Sequence, residues 1–196
     1  MKKPTMVTTL AFSLMASPAF AHLNPAEHGS FAAGFSHPLS GSDHILAMVA
    51  IGLWAAMLGG RALLLVPTAF VGMMLLGFVA GLSGVPLPFV EPMILASVVV
   101  LGLLVALALP LPAAVGAVIA GFFAFFHGHA HGAEIGTAAF ASYAAGFALA
   151  TALLHGAGIL IGLGLGRLGA RDKTLVAVRL AGGATALAGI ALAITG

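Results

Sequence analysis

Long apolar runs, cut by short polar breaks, set the pattern of this chain. After a polar stretch at 22–36, six runs approach or exceed the roughly 20 helical residues that a bilayer crossing takes. They fall at 37–59, 62–83, 91–110, 111–127, 136–166 and 174–196. The third and fourth are short and meet at Pro110-Leu111-Pro112, which predicts a tight helical hairpin turn. The fifth is long enough to tilt or to hold an irregular turn. The pattern predicts an all-α polytopic membrane protein, a single six-helix transmembrane domain over 22–196.

The first 21 residues read differently. Lys2 and Lys3 precede a short apolar core, and Ala19-Phe20-Ala21 has the small-x-small pattern of a cleavage site. A core of about ten residues is too short to span. Residues 1–21 are therefore expected to be a signal peptide. The mature chain would begin at His22, whose free amine and imidazole could chelate a metal together.

Composition strengthens the membrane reading. The chain is 61% hydrophobic and 6% charged, whereas a soluble domain carries about 25% charged residues. Its 27 glycines suit close helix packing in lipid. With a net charge of +2 and seven scattered Lys and Arg, it offers no nucleic-acid surface. The absence of cysteine removes disulfides, thiolate metal sites and cysteine nucleophiles together.

A cleaved signal would leave the mature N-terminus outside. Arg61 then falls in the first inner loop, and Arg167, Arg171 and Lys173 in the last, as the positive-inside rule asks. Arg179, inside the sixth run, lies near enough to its inner end to snorkel. The same topology collects His22, His28, His37, Asp43, His44, Glu91, His127, His129, His131 and Glu134 at or near the outer ends. Only His155 lies deep in a run.

Ionisable groups at membrane depth are costly and mark function by default. On a continuous helix His37 and His44, seven apart, share one face. Gly41 allows a kink that could swing Asp43 inward, although Asp43 also suits a helix N-terminus. Met48 places a soft thioether one turn below His44. The second cluster has two geometries. If helical, His127, His131 and Glu134 form a stripe with His129 opposite; if extended, His127, His129 and His131 align. Glu91 could contact metal or favour the first turn of its helix. His155 is expected to hydrogen-bond to a neighbouring helix, with an inner relay role left open. Gly158, Gly162 and Gly166 make a small-xxx-small packing series. Imidazole with carboxylate and no thiolate suits divalent nickel, cobalt or zinc rather than cuprous copper, and several weak sites in series suit transport.

With these residues in hand, the chain resembles the HupE/UreJ family of nickel and cobalt permeases along its whole length. A His-x5-Asp-His signature appears as His37, Asp43 and His44. A Phe-His-Gly-x-Ala-x-Gly-x-Glu signature appears as Phe126, His127, Gly128, Ala130, Gly132 and Glu134. The resemblance further implicates Phe70 in the second span and Glu91 at the third. It implies uptake of Ni2+ or Co2+, with Zn2+ less favoured, across the bacterial inner membrane, with the mature N-terminus periplasmic. It calls for no prosthetic group and links the chain to hydrogenase or urease maturation; a homo-oligomer is compatible with it.

Two other classes compete. An intramembrane metal hydrolase would use such ligands to activate water, but the chain lacks His-Glu-x-x-His. A metal sensor or metallochaperone subunit would bind the ion without flux. No phosphate-binding Gly-x4-Gly-Lys-Ser/Thr loop is present, so a permease would run without ATP hydrolysis of its own.

Overall fold

The computed structural model describes residues 30–135, 140–168 and 171–195. The expected signal peptide, His22 and His28 lie outside the described residues. Those that are described form seven α-helices: α1 Phe31–Ser40, α2 Ser42–Leu58, α3 Ala62–Leu82, α4 Val90–Leu107, α5 Ala113–Ile135, α6 Phe140–Leu168 and α7 Arg171–Thr195. Helices α3 to α7 each contain a stretch long and apolar enough to cross a membrane. Helices α1 and α2 meet that test only as a pair, bent by 83°.

The bend has a local cause. Ser30 opens α1 by accepting a hydrogen bond from the Ala33 amide. Pro38 then removes a donor from within the helix, and Gly41 follows in extended conformation at φ −91°, ψ 124°. His37 and His44 therefore do not share a face of one helix, as a continuous span would have it. They converge across an elbow instead.

Helix α5 also departs from expectation. The fourth run was expected to end at 127, yet α5 continues to Ile135 and carries all three of its histidines inside the bundle. The extended alternative for that segment is thereby excluded. The turn at 108–112 does follow the Pro110-Leu111-Pro112 expectation. At the end of α4, Ala108 takes a left-handed conformation, and the Arg179 Nε–H of α7 donates to the Ala106 carbonyl at 2.7 Å. That bond satisfies one of the carbonyls a helix end leaves unpaired.

Glycine sets the helix spacing. Gly77 and Gly81 of α3 interleave with Gly128 and Gly132 of α5, and a Cβ on any of the four would collide with backbone of the facing helix. Reciprocal glycines also join α1 to α6 (Gly34 and Gly146), α2 to α6 (Gly52 and Gly158) and α4 to α7 (Gly102 and Gly182). Lipid gives helices no hydrophobic reason to associate, so close van der Waals packing has to hold them. Leu64, Leu160, Leu180 and Ile194 point outward and are exposed, while Trp54, Phe70, Phe78 and Phe147 fill the interior.

Candidate metal centre

Three imidazoles meet at the elbow. His37 comes from the last turn of α1, His44 from the first turn of α2, and His131 from α5. Each offers a nitrogen, and the three lie within 4.8 Å of one another. The Nε2 atoms of His44 and His131 are 2.9 Å apart. Two nitrogens each about 2.1 Å from one ion lie about 3.0 Å apart at octahedral angles and about 3.4 Å apart at tetrahedral ones. The pair is thus already spaced to grip a divalent transition ion, and His37 needs only to close in. His44 and His131 are each 5% exposed, so the group sits between helices rather than on the outer rim.

A carboxylate backs each of the paired rings. Asp43 places an oxygen 2.8 Å from Nδ1 of His44, at ion-pair distance though not aligned as a hydrogen bond. Glu134 lies 3.6 Å from Nδ1 of His131, with its own side chain exposed. At 2.9 Å the two Nε2 atoms share a hydrogen bond, so one of them carries a proton that an incoming ion has to displace. A negative charge behind Nδ1 favours moving the proton there and freeing Nε2 to ligate, the arrangement metal-binding histidines commonly use. Among the described residues neither carboxylate belongs to the group of converging donors. Asp43 lies in the first turn of α2, and the N-cap position itself is Gly41.

His127 lies one turn deeper on α5, with its ring 5.2 Å from that of His44. Its tautomer follows from its neighbour. The Ser97 hydroxyl donates its one proton to the Ile94 carbonyl at 2.6 Å. Towards His127 Nε2, at 2.9 Å, Ser97 can therefore only accept. That donation would place the His127 proton on Nε2 and leave the lone pair on Nδ1, which is buried and without a hydrogen-bond partner among the described residues.

His129 points away from this group. Its Nε2–H donates to the Val85 carbonyl at 2.7 Å and ties the 83–89 loop to α5. Glu91 is also apart, exposed beside Pro92 and Ile190 in a groove between α4 and α7. Met48 is fully buried beneath the site. Phe70 sets its ring 5.8 Å from His127 and 5.0 Å from His155. His155 was expected to hydrogen-bond to another helix. Instead it is buried with both ring nitrogens unpartnered among the described residues.

Sequence reading missed Ser97, Tyr143 and Phe147. Phe147 touches all three converging imidazoles, at 4.8 Å from His131. Tyr143 packs beside His37 and stacks on Phe78. Ser97 had a signal, a lone hydroxyl in the apolar run of α4, and Tyr143 is the one tyrosine in the chain. Phe147 had none.

Comparison with known proteins gives the lineage. The family described as HupE / UreJ protein matches residues 10–192. Protein HupE of Rhizobium leguminosarum bv. viciae is 48% identical over 193 residues, which is 98% of each chain. No solved structure matches. Matched nearly end to end by both the family and this relative, the chain belongs to the HupE/UreJ family.

Proposed function

We propose that the protein is a multi-pass inner-membrane permease that admits Ni2+ or Co2+ from the periplasm. The observation that carries this reading is the convergence of His37, His44 and His131 inside an apolar bundle. Imidazole nitrogen suits late divalent ions over magnesium or calcium. Likeness to HupE supports nickel and cobalt in particular, together with a link to hydrogenase or urease maturation. In this reading His37, His44 and His131 are the ligands, while Asp43 and Glu134 orient two of them. His127 receives the ion next. The ion moves inward with its charge, driven by about 4.6 kcal/mol per 100 mV of membrane potential for a dication, and the protein conducts ions rather than turning over a substrate.

Reconstituted vesicles holding an internal metal-sensing dye test this directly. Influx of Co2+ is expected, with Ni2+ competing and Mg2+ not. Mg2+ influx equal to that of Co2+ would overturn the imidazole site, and tight Co2+ binding without influx would select a sensor or chaperone.

Ser97 gives a second test. Ser97→Ala removes the acceptor that holds the His127 proton on Nε2. Influx should drop about 10-fold, the lower range for loss of a partner behind a metal ligand, while Co2+ binding at the outer group is retained. Unchanged influx would remove His127 from the path.

A further inference from the structure

We infer that His155 is an inner metal-binding station on the far side of Phe70, taking the ion from His127 before it leaves the bundle. This rests on the permease reading above. Helix α6 carries Tyr143, Phe147, Thr151 and His155 at intervals of four, and all four are buried. Antiparallel to them, α3 presents Phe78, Met74 and Phe70, likewise buried. The two rows meet in register. Phe78 stacks on Tyr143 at 6.2 Å, the Thr151 hydroxyl donates to the Met74 sulfur at 3.7 Å, and Phe70 meets His155 edge to face at 5.0 Å.

The first residues of this α6 row wall the outer imidazoles. Its last, His155, lies about 12 Å further along the helix axis from Phe147 at the usual rise. A buried imidazole with both nitrogens unpaired forfeits the hydrogen bonds it would make in water, a cost of about 1–3 kcal/mol. Among the described residues no hydrogen bond repays that cost. Phe70 and Gly52 are its close neighbours, and the Cβ that Gly52 lacks would strike the His155 carbonyl. Such an unsatisfied group calls for a use, and free nitrogen donors are what a divalent ion leaving His127 needs.

The geometry on either side agrees. Among the described residues Phe70 is the one ring in contact with both His127 and His155. An aromatic face attracts a cation without binding it tightly, which suits a partition that must be crossed. Beyond His155, Gly162 lies about 10 Å further along α6 and lines a cavity of ≈ 610 Å³ with Met57, Leu58, Pro110 and Val178. That cavity sits at the end of the bundle opposite the imidazole elbow, and His155 itself lines a separate groove of ≈ 480 Å³ between α3 and α6, with Pro67, Thr68 and Ile159.

Two substitutions test the assignment in reconstituted vesicles, with Co2+, Cd2+ and Mg2+ as probes. His155→Phe fills the space without a donor. It should leave equilibrium Co2+ binding at the outer group unchanged and cut influx by at least about 10-fold. His155→Cys keeps a donor but makes it soft, so Cd2+ influx should rise severalfold relative to Co2+. Since the chain has no cysteine of its own, the introduced thiol is unique, and Co2+ but not Mg2+ should slow its modification by a small methanethiosulfonate. Normal influx through His155→Phe overturns the station, as does a His155→Cys protein with unaltered preference and an unprotected thiol. Should His155→Phe fail to fold, the His155→Cys result decides alone. No influx in the unsubstituted protein would instead overturn the permease reading.

Discussion

His44→Ala is expected to abolish metal uptake and to weaken Co2+ binding by more than about 100-fold, or about 2.7 kcal/mol. The alanine removes one of the two Nε2 donors that stand 2.9 Å apart and leaves the His131 nitrogen facing a void. Asp43→Asn should be milder, about 10–100-fold, because an orienting partner is lost rather than a ligand. The ordering is the informative part. Calorimetry of purified protein with Co2+, paired with radiometal uptake by cells, measures both. If Asp43→Asn proved as damaging as His44→Ala, the carboxylate would be a direct ligand. If His44→Ala left uptake intact, the site would be elsewhere.

Gly128→Leu is expected to prevent stable assembly of the bundle. Even a Cβ at this position would collide with the Met74 carbonyl across the α3–α5 seam. Forcing bulk into a close-packed contact costs about 1–3 kcal/mol when neighbours can shift, and backbone shifts less readily than side chains. A loss of several kcal/mol corresponds to about 10 °C or more in Tm for a chain of this size. Gly72→Ala on α3 is the control, since nothing lies within 4 Å of the added methyl. It should be neutral or slightly stabilising, because alanine favours the helix. Thermal unfolding of both in detergent checks the contrast, and equal melting temperatures would contradict the seam.

The helices were largely legible because a bilayer crossing demands long apolar runs, and such runs have few other uses. Where they end was less so. The fourth run looked finished at His127, since three imidazoles in close succession resemble a wet loop. The helix continues because Gly128 and Gly132 bring α5 against α3 and give those rings a protein interior to occupy. Sequence left the helical and extended geometries of that segment open, and only the facing glycines of α3 decide between them. The elbow at Gly41 was readable as a kink, but its 83° depends on where α1 finds a partner, which is on α6. The candidate ligands were readable as a set and not as a constellation. His37, His44 and His131 converge, while His129 bonds to a loop carbonyl and Glu91 faces a distant groove. Phe147 was invisible because one phenylalanine among 13 carries no mark of what it touches.

With glycine at the helix seams and leucine on the outside, this protein carries apolar bulk on its surface as well as in its core. Removing the surrounding lipid would strand a sticky coat around an interior that stays closed. Bare exposure to buffer should therefore end in clumping of intact bundles before any helix melts. Extraction would then succeed or fail on how well a surfactant belt imitates acyl chains, and far less on salt.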